Sequence, residues 1–471
     1  MCGIVGAINA KDAAPLIYAG LLALQHRGQD SAGMLTSDGQ QTYAKKGTGL
    51  VSSIFASGLE QLKGSMGIGH TRYATAGSSF DLDTQPFHLD GKLQIAISHN
   101  GNIVNTEELK GQVNGKMRST ADTELILHIF SEYLHNGNGQ ASFVEQIFAA
   151  VGHIMQAVKG SYSIVMMVQG HGMLAFRDPL GIKPLLIGSR NNSYVFCSET
   201  VALDAIGYAL HSQLQPGEAA FADNTGQLYR RQIGQDKHAP CMFEWVYFAR
   251  PDSTHEERSV YAAREELGRL LARQWRKTGR QLDVAIPVPD TSRPAASGFA
   301  EELGIALREG LIKNRYVGRT FIMPSQVKRA AAVQLNLNPI RPTIEGKRVA
   351  VIDDSIVRGT TSKRIVQIVR AAGAKEVHFF VTCPPIKWPC FYGIDMSTRA
   401  ELIAAGKSVE DIRQFIGADT LTYQTLDGLQ QAIGRTALCS ACLTGAYPTG
   451  INAGDIERLE GRRSTERAAN C

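Results

Sequence analysis

The stretch Val349-Ala-Val-Ile-Asp-Asp-Ser-Ile-Val-Arg-Gly-Thr-Thr-Ser362 reads as a buried strand, a hydroxyl-rich loop and the start of a helix. The apolar run begins at Lys347-Arg-Val-Ala-Val-Ile352 and carries Asp353 and Asp354 at its carboxyl end. Beyond the loop, Ser362 to Ala372 has helical spacing, and Val377-His-Phe-Phe-Val381 is another buried strand. Strand, loop, helix, strand is the order of a parallel sheet with a crossover helix, an α/β arrangement. Open parallel sheets bind ligands beyond the carboxyl ends of their strands, which is where the two aspartates fall. Ser355, Arg358, Gly359, Thr360 and Thr361 follow them at a helix N-terminus, whose N–H groups and dipole favour a phosphate. The acids beside that cradle then suit ribose hydroxyls or a hydrated Mg²⁺. An isolated Asp-Asp pair reads equally well as a turn and helix cap; the whole string does not.

Working outward, Tyr261 to Lys277 is helical, Leu282-Asp-Val-Ala-Ile286 is a strand, and Ile286-Pro-Val-Pro-Asp-Thr-Ser292 is the loop after it. Upstream of about Glu244 the texture differs. Met1 to Asn9, Gly67 to Arg72, Gln94 to Ser98 and Tyr162 to Val168 read as strands, with helices at Ala14 to Gln25 and Leu125 to Tyr133. That mixture predicts an α+β layered domain over residues 1–235 and an α/β domain over 236–450. Residues 451–471 read as a polar tail, poorly ordered beyond its first turn or two.

Composition narrows the classes. At 471 residues the chain is about three times the ~150-residue prior for one domain. Lys plus Arg number 49 against 44 Asp plus Glu, a net charge of +5 with no basic run, so nothing supports a nucleic-acid surface. The 44% hydrophobic share excludes a wholly disordered chain. No run of ~18 apolar residues offers a transmembrane helix, and the N-terminus lacks a signal-peptide pattern. A cytoplasmic location is expected.

Eight cysteines in such a chain are more often catalytic, metal-binding or inert than disulfide-bonded. Cys2 directly follows Met1. If Met1 is removed, Cys2 carries a thiol and a free α-amine that acts as base for its own nucleophile. A thioester formed there needs oxyanion donors, and His99-Asn100-Gly101-Asn102 can supply them from the Asn100 amide and the Gly101 N–H. Cys439 and Cys442 form a C-x-x-C, with Cys241 and Cys390 upstream. By spacing alone, those four sulfurs suit a structural zinc or an iron–sulfur cluster equally well.

Four motifs carry a resemblance. Met1-Cys-Gly-Ile-Val-Gly6, Gln25-His-Arg-Gly-Gln-Asp-Ser-Ala-Gly33, Gly69-His-Thr-Arg-Tyr-Ala-Thr75 and Ser98-His-Asn-Gly-Asn102 resemble the glutaminase domain of class II glutamine amidotransferases. These are N-terminal-nucleophile enzymes with an αββα sandwich. The resemblance implies that Cys2 attacks the glutamine amide and that Asn100 and Gly101 form the oxyanion hole. It places Arg72 on the substrate α-carboxylate, Asp122 of Ser119-Thr-Ala-Asp-Thr-Glu124 on its α-amine, and Thr75 in the same pocket. Some members carry a propeptide; here loss of Met1 alone is expected to free the cysteine.

The 349–362 string resembles the phosphoribosyl pyrophosphate (PRPP) loop of type I phosphoribosyltransferases. By that resemblance Asp353 through Ser355 and Arg358 through Thr361 bind PRPP, and Thr291, Asp353 and Asp354 lie about its Mg²⁺. Lys313 to Gln326 resembles the start of the flexible loop that closes over PRPP. Where the family continues that loop with an Arg and a Lys, this sequence has Gln334 and Asn336. Together the two halves are similar to the amidophosphoribosyltransferases that open purine synthesis. The family implies an internal ammonia channel, homotetramers and inhibition by purine nucleotides. His238 to Glu244, Trp388 to Asp395 and Leu438 to Gly445 match its subgroup in which Cys241, Cys390, Cys439 and Cys442 hold a structural [4Fe–4S] cluster. Two other readings compete with it: a glutaminase serving a different ammonia acceptor, and a PRPP-binding regulator without transfer chemistry.

Overall fold

The computed structural model describes residues 1–73, 82–91, 93–113, 117–136, 141–235, 237–314, 337–396 and 398–468. The first half is two stacked antiparallel sheets, one seven-stranded and one six-stranded. The opening strand Gly3–Ile8 sits inside the first sheet, paired with Met66–Arg72 on one side and Ser193–Cys197 on the other. Its alternation builds three layers at once. Ile4 and Ile8 face the second sheet, where they meet Ala96, Val165 and Met167. Val5 and Ala7 face outward, onto the helix Ala13–Ala23 through Ala14, Ile17 and Leu21. The second sheet repeats the pattern with Ile164, Met166 and Val168 under the helices Asp122–Asn136 and Phe143–Ala157. Strands buried on both faces read as nearly continuous apolar runs, as these do. The αββα sandwich expected from the sequence is present.

The second half holds a five-stranded parallel sheet ordered Ala306–Leu307, Val284–Pro287, Arg348–Asp353, Glu376–Val381, Thr420–Tyr423. Arg348–Asp353 is central, so Val349 and Val351 pack on one side while Ala350 and Ile352 pack on the other with Trp275, Phe299 and Phe380. The helices Val260–Arg276 and Arg293–Leu303 cover that second side. Leu311–Lys313 pairs with Leu337–Pro339, bringing together the two ends of segment 315–336.

No gap separates the halves. Met1, Val104 and Ile182 share one apolar core with Cys241, Trp245, Val351 and Phe391. No helix among the described residues is long and apolar enough to cross a membrane.

One expectation is corrected. The tail forms a helix, Ala453–Ala468. Ile456 is buried, Glu460 accepts from the Arg399 N–H at 2.6 Å, and Arg463 donates to the Cys390 carbonyl at 2.5 Å. Its polar composition resembles a solvated tail because its partners are polar groups on loops remote in sequence.

Candidate active sites

Cys2 precedes the first strand and is partly exposed, unlike the interior it leads into. Its backbone N–H donates to Asn100 Oδ1 at 3.0 Å. That bond orients the amide and leaves Asn100 Nδ2 buried with no partner. An unpaired buried donor is costly unless something arrives to accept from it. Gly101 follows at a point of close approach: a Cβ there would lie 1.9 Å from the Ser161 carbonyl oxygen. The structure therefore brings Cys2, Asn100 and Gly101 together.

Asp122 begins its helix and faces the same region. It accepts from the Ile103 N–H at 2.8 Å and lies 3.6 Å from His99 Nδ1. Burial would raise its carboxyl, yet His99 and the Ile103 N–H hold it below its ordinary value. His99 is itself fixed by Gln85, whose Oε1 accepts from the His99 N–H at 2.7 Å. Arg72 ends its strand nearly buried, with Nη2 3.5 Å from Asp83 Oδ2. Asp83 also accepts from the Thr120 N–H and hydroxyl, both at 3.1 Å. Thr75 lies outside the described residues.

Behind Cys2 stands a buried ionic group to which the sequence reading gave no role. Arg27 Nε donates to the Cys2 carbonyl at 3.0 Å. Its other nitrogens reach Glu199 and both oxygens of Glu244, the latter at 3.0 and 2.7 Å. Burial opposes the Arg27 charge, but the two carboxylates outweigh it and raise its pKa. Glu199 also accepts from His26, the Arg250 N–H and the Ser253 hydroxyl. Gly28 must be glycine, since a Cβ would strike the Arg72 backbone at 2.5 Å. Arg27 and Glu244 lay inside quoted motifs; Glu199 had no local signal.

At the second site Asp353 and Asp354 end the central parallel strand. Burial, then each other's charge, pushes Asp353 well above the carboxylate range, and burial carries Asp354 to about 6. Arg264, buried and held down to about 10 by desolvation, eases the Asp354 charge while donating to the Trp245 and Ala249 carbonyls. Gly359 has φ +76° and caps the helix Thr360–Ala371 without a side-chain hydrogen bond. The first N–H groups of that helix precede its first intrahelical bond, Lys363 to Gly359, and lie beside the exposed Thr360 and Thr361. Ser355 donates to Asp354 at 2.5 Å, and Arg358 is held by Glu401 at 3.1 Å. Thr291 lies in the loop after the neighbouring strand, next to a buried Ser292 hydroxyl that has no partner. Paired high-pKa carboxyls next to unsatisfied donors fit a phosphate ligand carrying a divalent cation. Gln334 and Asn336 lie outside the described residues, as does the rest of 315–336.

The four cysteines gather at the junction between the halves. Cys241 and Cys439 pair as a parallel bridge, and the Cys442 carbonyl accepts from the Lys387 and Trp388 N–H groups just before Cys390. All four are buried and free of disulfides. Burial pushes Cys241 up to about 11 and Cys442 well up, the neighbouring cysteines adding to the latter. Among the described residues no three His, Cys, Asp or Glu side chains are grouped to hold one metal ion. The segment after Cys390 touches the oxyanion strand: Asn102 donates to the Phe391 carbonyl at 2.9 Å and Ser161 to that of Tyr392 at 3.1 Å.

The fold and the two sites define a glutamine amidotransferase coupled to a phosphoribosyltransferase. Models of those two domains match residues 70–205 and 259–389. An amidophosphoribosyltransferase of Methanothermobacter thermautotrophicus is 45% identical over 480 residues, covering 99% of this chain and 98% of its own. The Bacillus subtilis PRPP amidotransferase structure with ADP and GMP superposes with TM-score 0.86 at 41% identity, covering 96% of this chain and 98% of its own. A structure described as the allosteric regulatory enzyme of purine biosynthesis gives 0.88, also at 41% identity, covering 98% and 99%. The chain belongs to the amidophosphoribosyltransferases, the pentosyltransferases of purine biosynthesis that aminate PRPP with nitrogen from glutamine.

Proposed function

We propose that this chain splits glutamine at Cys2 and delivers the ammonia internally to C1 of PRPP, giving glutamate, pyrophosphate and 5-phosphoribosylamine. The observation that carries the reading is the buried Asn100 Nδ2, left unpaired by the bond that Cys2 makes to Asn100 Oδ1. After removal of Met1 the Cys2 amine takes the thiol proton, and sulfur attacks the side-chain carbonyl carbon of glutamine. Asn100 Nδ2 and the Gly101 N–H receive the oxyanion, a contribution of ~3–4 kcal/mol per donor in such sites. The carbon–nitrogen bond breaks as the amine returns its proton to the leaving nitrogen, and water then hydrolyses the thioester. Arg72 and Asp122 hold the substrate α-carboxylate and α-amine, with Thr75 in the same pocket.

Asp353 and Asp354 face the ribose, and with Thr291 they would hold the Mg²⁺ bound with PRPP, which would draw charge from the leaving pyrophosphate. Ser355 and Arg358 to Thr361 hold the 5-phosphate at the helix N-terminus. When ammonia forms its bond to C1, the pyrophosphate leaves with the pair of electrons from the broken C–O bond. Cys241, Cys390, Cys439 and Cys442 would hold a [4Fe–4S] cluster that braces the junction and takes no part in turnover. The domains are assigned to 1–235 and 236–450, with 451–471 as a C-terminal extension. Purine nucleotides act as inhibitors, the assembly is a homotetramer, and the enzyme is cytoplasmic.

The test is pyrophosphate release from PRPP and Mg²⁺, with glutamine and with ammonia in parallel, on anaerobically purified protein whose Met1 removal is checked by mass. Release with both nitrogen sources is expected. Release with neither would overturn the transferase assignment; release with ammonia alone would overturn the role of Cys2.

A further inference from the structure

The strand Ile95–Ile103 has neighbours of unequal extent. On one side it pairs along its whole length with Gly160–Val168; on the other, Phe87–Leu89 reaches only Ile95 to Ile97. Beyond Ile97 no strand among the described residues covers that second edge. Alternation puts the N–H groups of His99, Gly101 and Ile103 on it. Side chains satisfy the outer two: Gln85 Oε1 accepts from His99 at 2.7 Å and Asp122 Oδ2 from Ile103 at 2.8 Å. Between them lies the Gly101 N–H, the backbone donor assigned to the oxyanion.

What backs this part of the strand comes from the other half of the chain. Asn102 and Ser161 stand opposite each other in register. The Asn102 amide donates to the Phe391 carbonyl at 2.9 Å and the Ser161 hydroxyl to the Tyr392 carbonyl at 3.1 Å. Two adjacent strands thus grip two consecutive residues. Gly393 follows with φ +90°, and a Cβ on it would lie 2.9 Å from the Gly101 carbonyl oxygen. Phe391 and Tyr392 are buried, and the segment is pinned on its own side. Tyr392 Oη pairs with the Thr449 hydroxyl at 2.6 Å, and Tyr447 Oη donates to the Pro389 carbonyl at 2.7 Å.

We propose, on the oxyanion reading of Asn100 and Gly101, that Phe391-Tyr392-Gly393 is a wall of the oxyanion hole supplied by the transferase half. Asn102 and Ser161 are the positioning residues that hold Gly101 against it. Both act through Gly101, with no contact to glutamine required. An oxyanion donor works only when aligned with the place the oxygen takes during reaction. Loosening the wall therefore lowers turnover and leaves substrate binding intact.

The experiment uses full chains purified without oxygen, with Met1 loss verified by mass. Wild type is compared with Asn102→Leu, of similar volume but without the donor, with Ser161→Ala, and with Asn100→Ala as reference. Glutamine hydrolysis with PRPP and Mg²⁺ gives kcat and KM, and ammonia-dependent pyrophosphate release reports the transferase. Alkylation of Cys2 by iodoacetamide, followed by peptide mass, reports the nucleophile; it joins sulfur to carbon with loss of iodide and forms no oxyanion. Asn102→Leu should lose ~10- to 100-fold in glutamine kcat and Ser161→Ala several-fold, with KM, Cys2 alkylation and the ammonia reaction within about twofold of wild type. A loss confined to kcat marks an interaction made only in the transition state. Unchanged kcat in both variants, with Asn100→Ala impaired, would overturn the proposal. So would equal falls in kcat and alkylation, or a raised KM at normal kcat, which mark a disordered pocket or lost binding. If Asn102→Leu fails to accumulate, Ser161→Ala decides; failure of both assigns the contacts to folding and also overturns it. An unimpaired Asn100→Ala would instead overturn the oxyanion assignment.

Discussion

At Cys2 almost every polar group is already held by another, whereas at Asp353 and Asp354 the groups are crowded and unbalanced. Arg27 fixes the nucleophile's carbonyl, Asn100 its N–H, and Gln85 with His99 the strand beside it. The Asp pair has the opposite character. Burial and mutual repulsion raise both carboxyls, and the helix behind them starts without a side-chain cap. Around Cys2 the protein's own contacts leave one buried donor, Asn100 Nδ2, without an acceptor, the place of the oxyanion in the proposed reaction. The aspartate pair and the uncapped helix would be completed, on the proposed assignment, by a ligand that brings charge of both signs. This contrast has a chemical basis in the proposed reaction: the oxyanion exists only in the tetrahedral intermediate and the transition states around it, whereas PRPP and its cation are present throughout the bound state.

The sharpest way to break the comparison is Cys2→Ala. It should lower glutamine-dependent synthesis at least ~10³-fold and leave ammonia-dependent synthesis within about twofold, read as pyrophosphate release from each source. If both activities fell together, the two sites would not be separable.

Arg27→Met tests whether the preorganisation at Cys2 rests on the buried ion group. It leaves Glu199 and Glu244 buried without their cation, at a cost of ~3–5 kcal/mol, seen as a lower midpoint in chemical denaturation. The same carboxylates predict a pH dependence in the wild type. Both are held below their ordinary range, Glu199 strongly so, although burial alone would raise them. Folded, they bind protons more weakly than unfolded, so their stabilisation is complete above the unfolded carboxyl pKa of ~4.3. It is lost as pH falls below that value towards the folded pKa values. Wild type should therefore lose stability below about pH 4, and Arg27→Met should lose less over the same range.

Asn100→Ala sharpens the oxyanion argument, with a fall of ~10²–10³ in glutamine-dependent kcat and little change in the ammonia-dependent reaction. An equal loss from both sources would assign Asn100 to structure alone. The smallest effect belongs to the aspartate pair. With Asp354 near 6, Mg²⁺ must displace a proton below that pH. The apparent Mg²⁺ affinity in PRPP turnover should weaken by up to ~10-fold per pH unit as the pH falls through 6. A flat profile through pH 6 would remove the carboxyls from the cation's surroundings.

Much of this was legible in the sequence because it is local. The alternation of Ile4 and Ile8 against Val5 and Ala7 writes the two faces of one strand into six residues. The aspartates, the glycine and the threonines of 353–361 lie on consecutive positions, so their spacing alone describes a strand end and a helix start. Cys2, Asn100 and Asp122 were found through motifs, and the sheets then brought them together. The tail misled because its composition is that of a solvated segment, while Ile456, Glu460 and Arg463 meet partners elsewhere.

The sequence by itself determined the two domain classes and singled out Cys2 and the 349–362 string as candidate sites, since each is set by backbone periodicity or by neighbours along the chain. Only the tertiary structure decided what surrounds them. Arg27 reaches Glu199 across 172 residues and Glu244 across 217, Asp83 stands on Arg72, and Lys183 is buried beside Met1. Charges far apart in sequence acquire their energies from burial and from one another, and both depend on the completed fold.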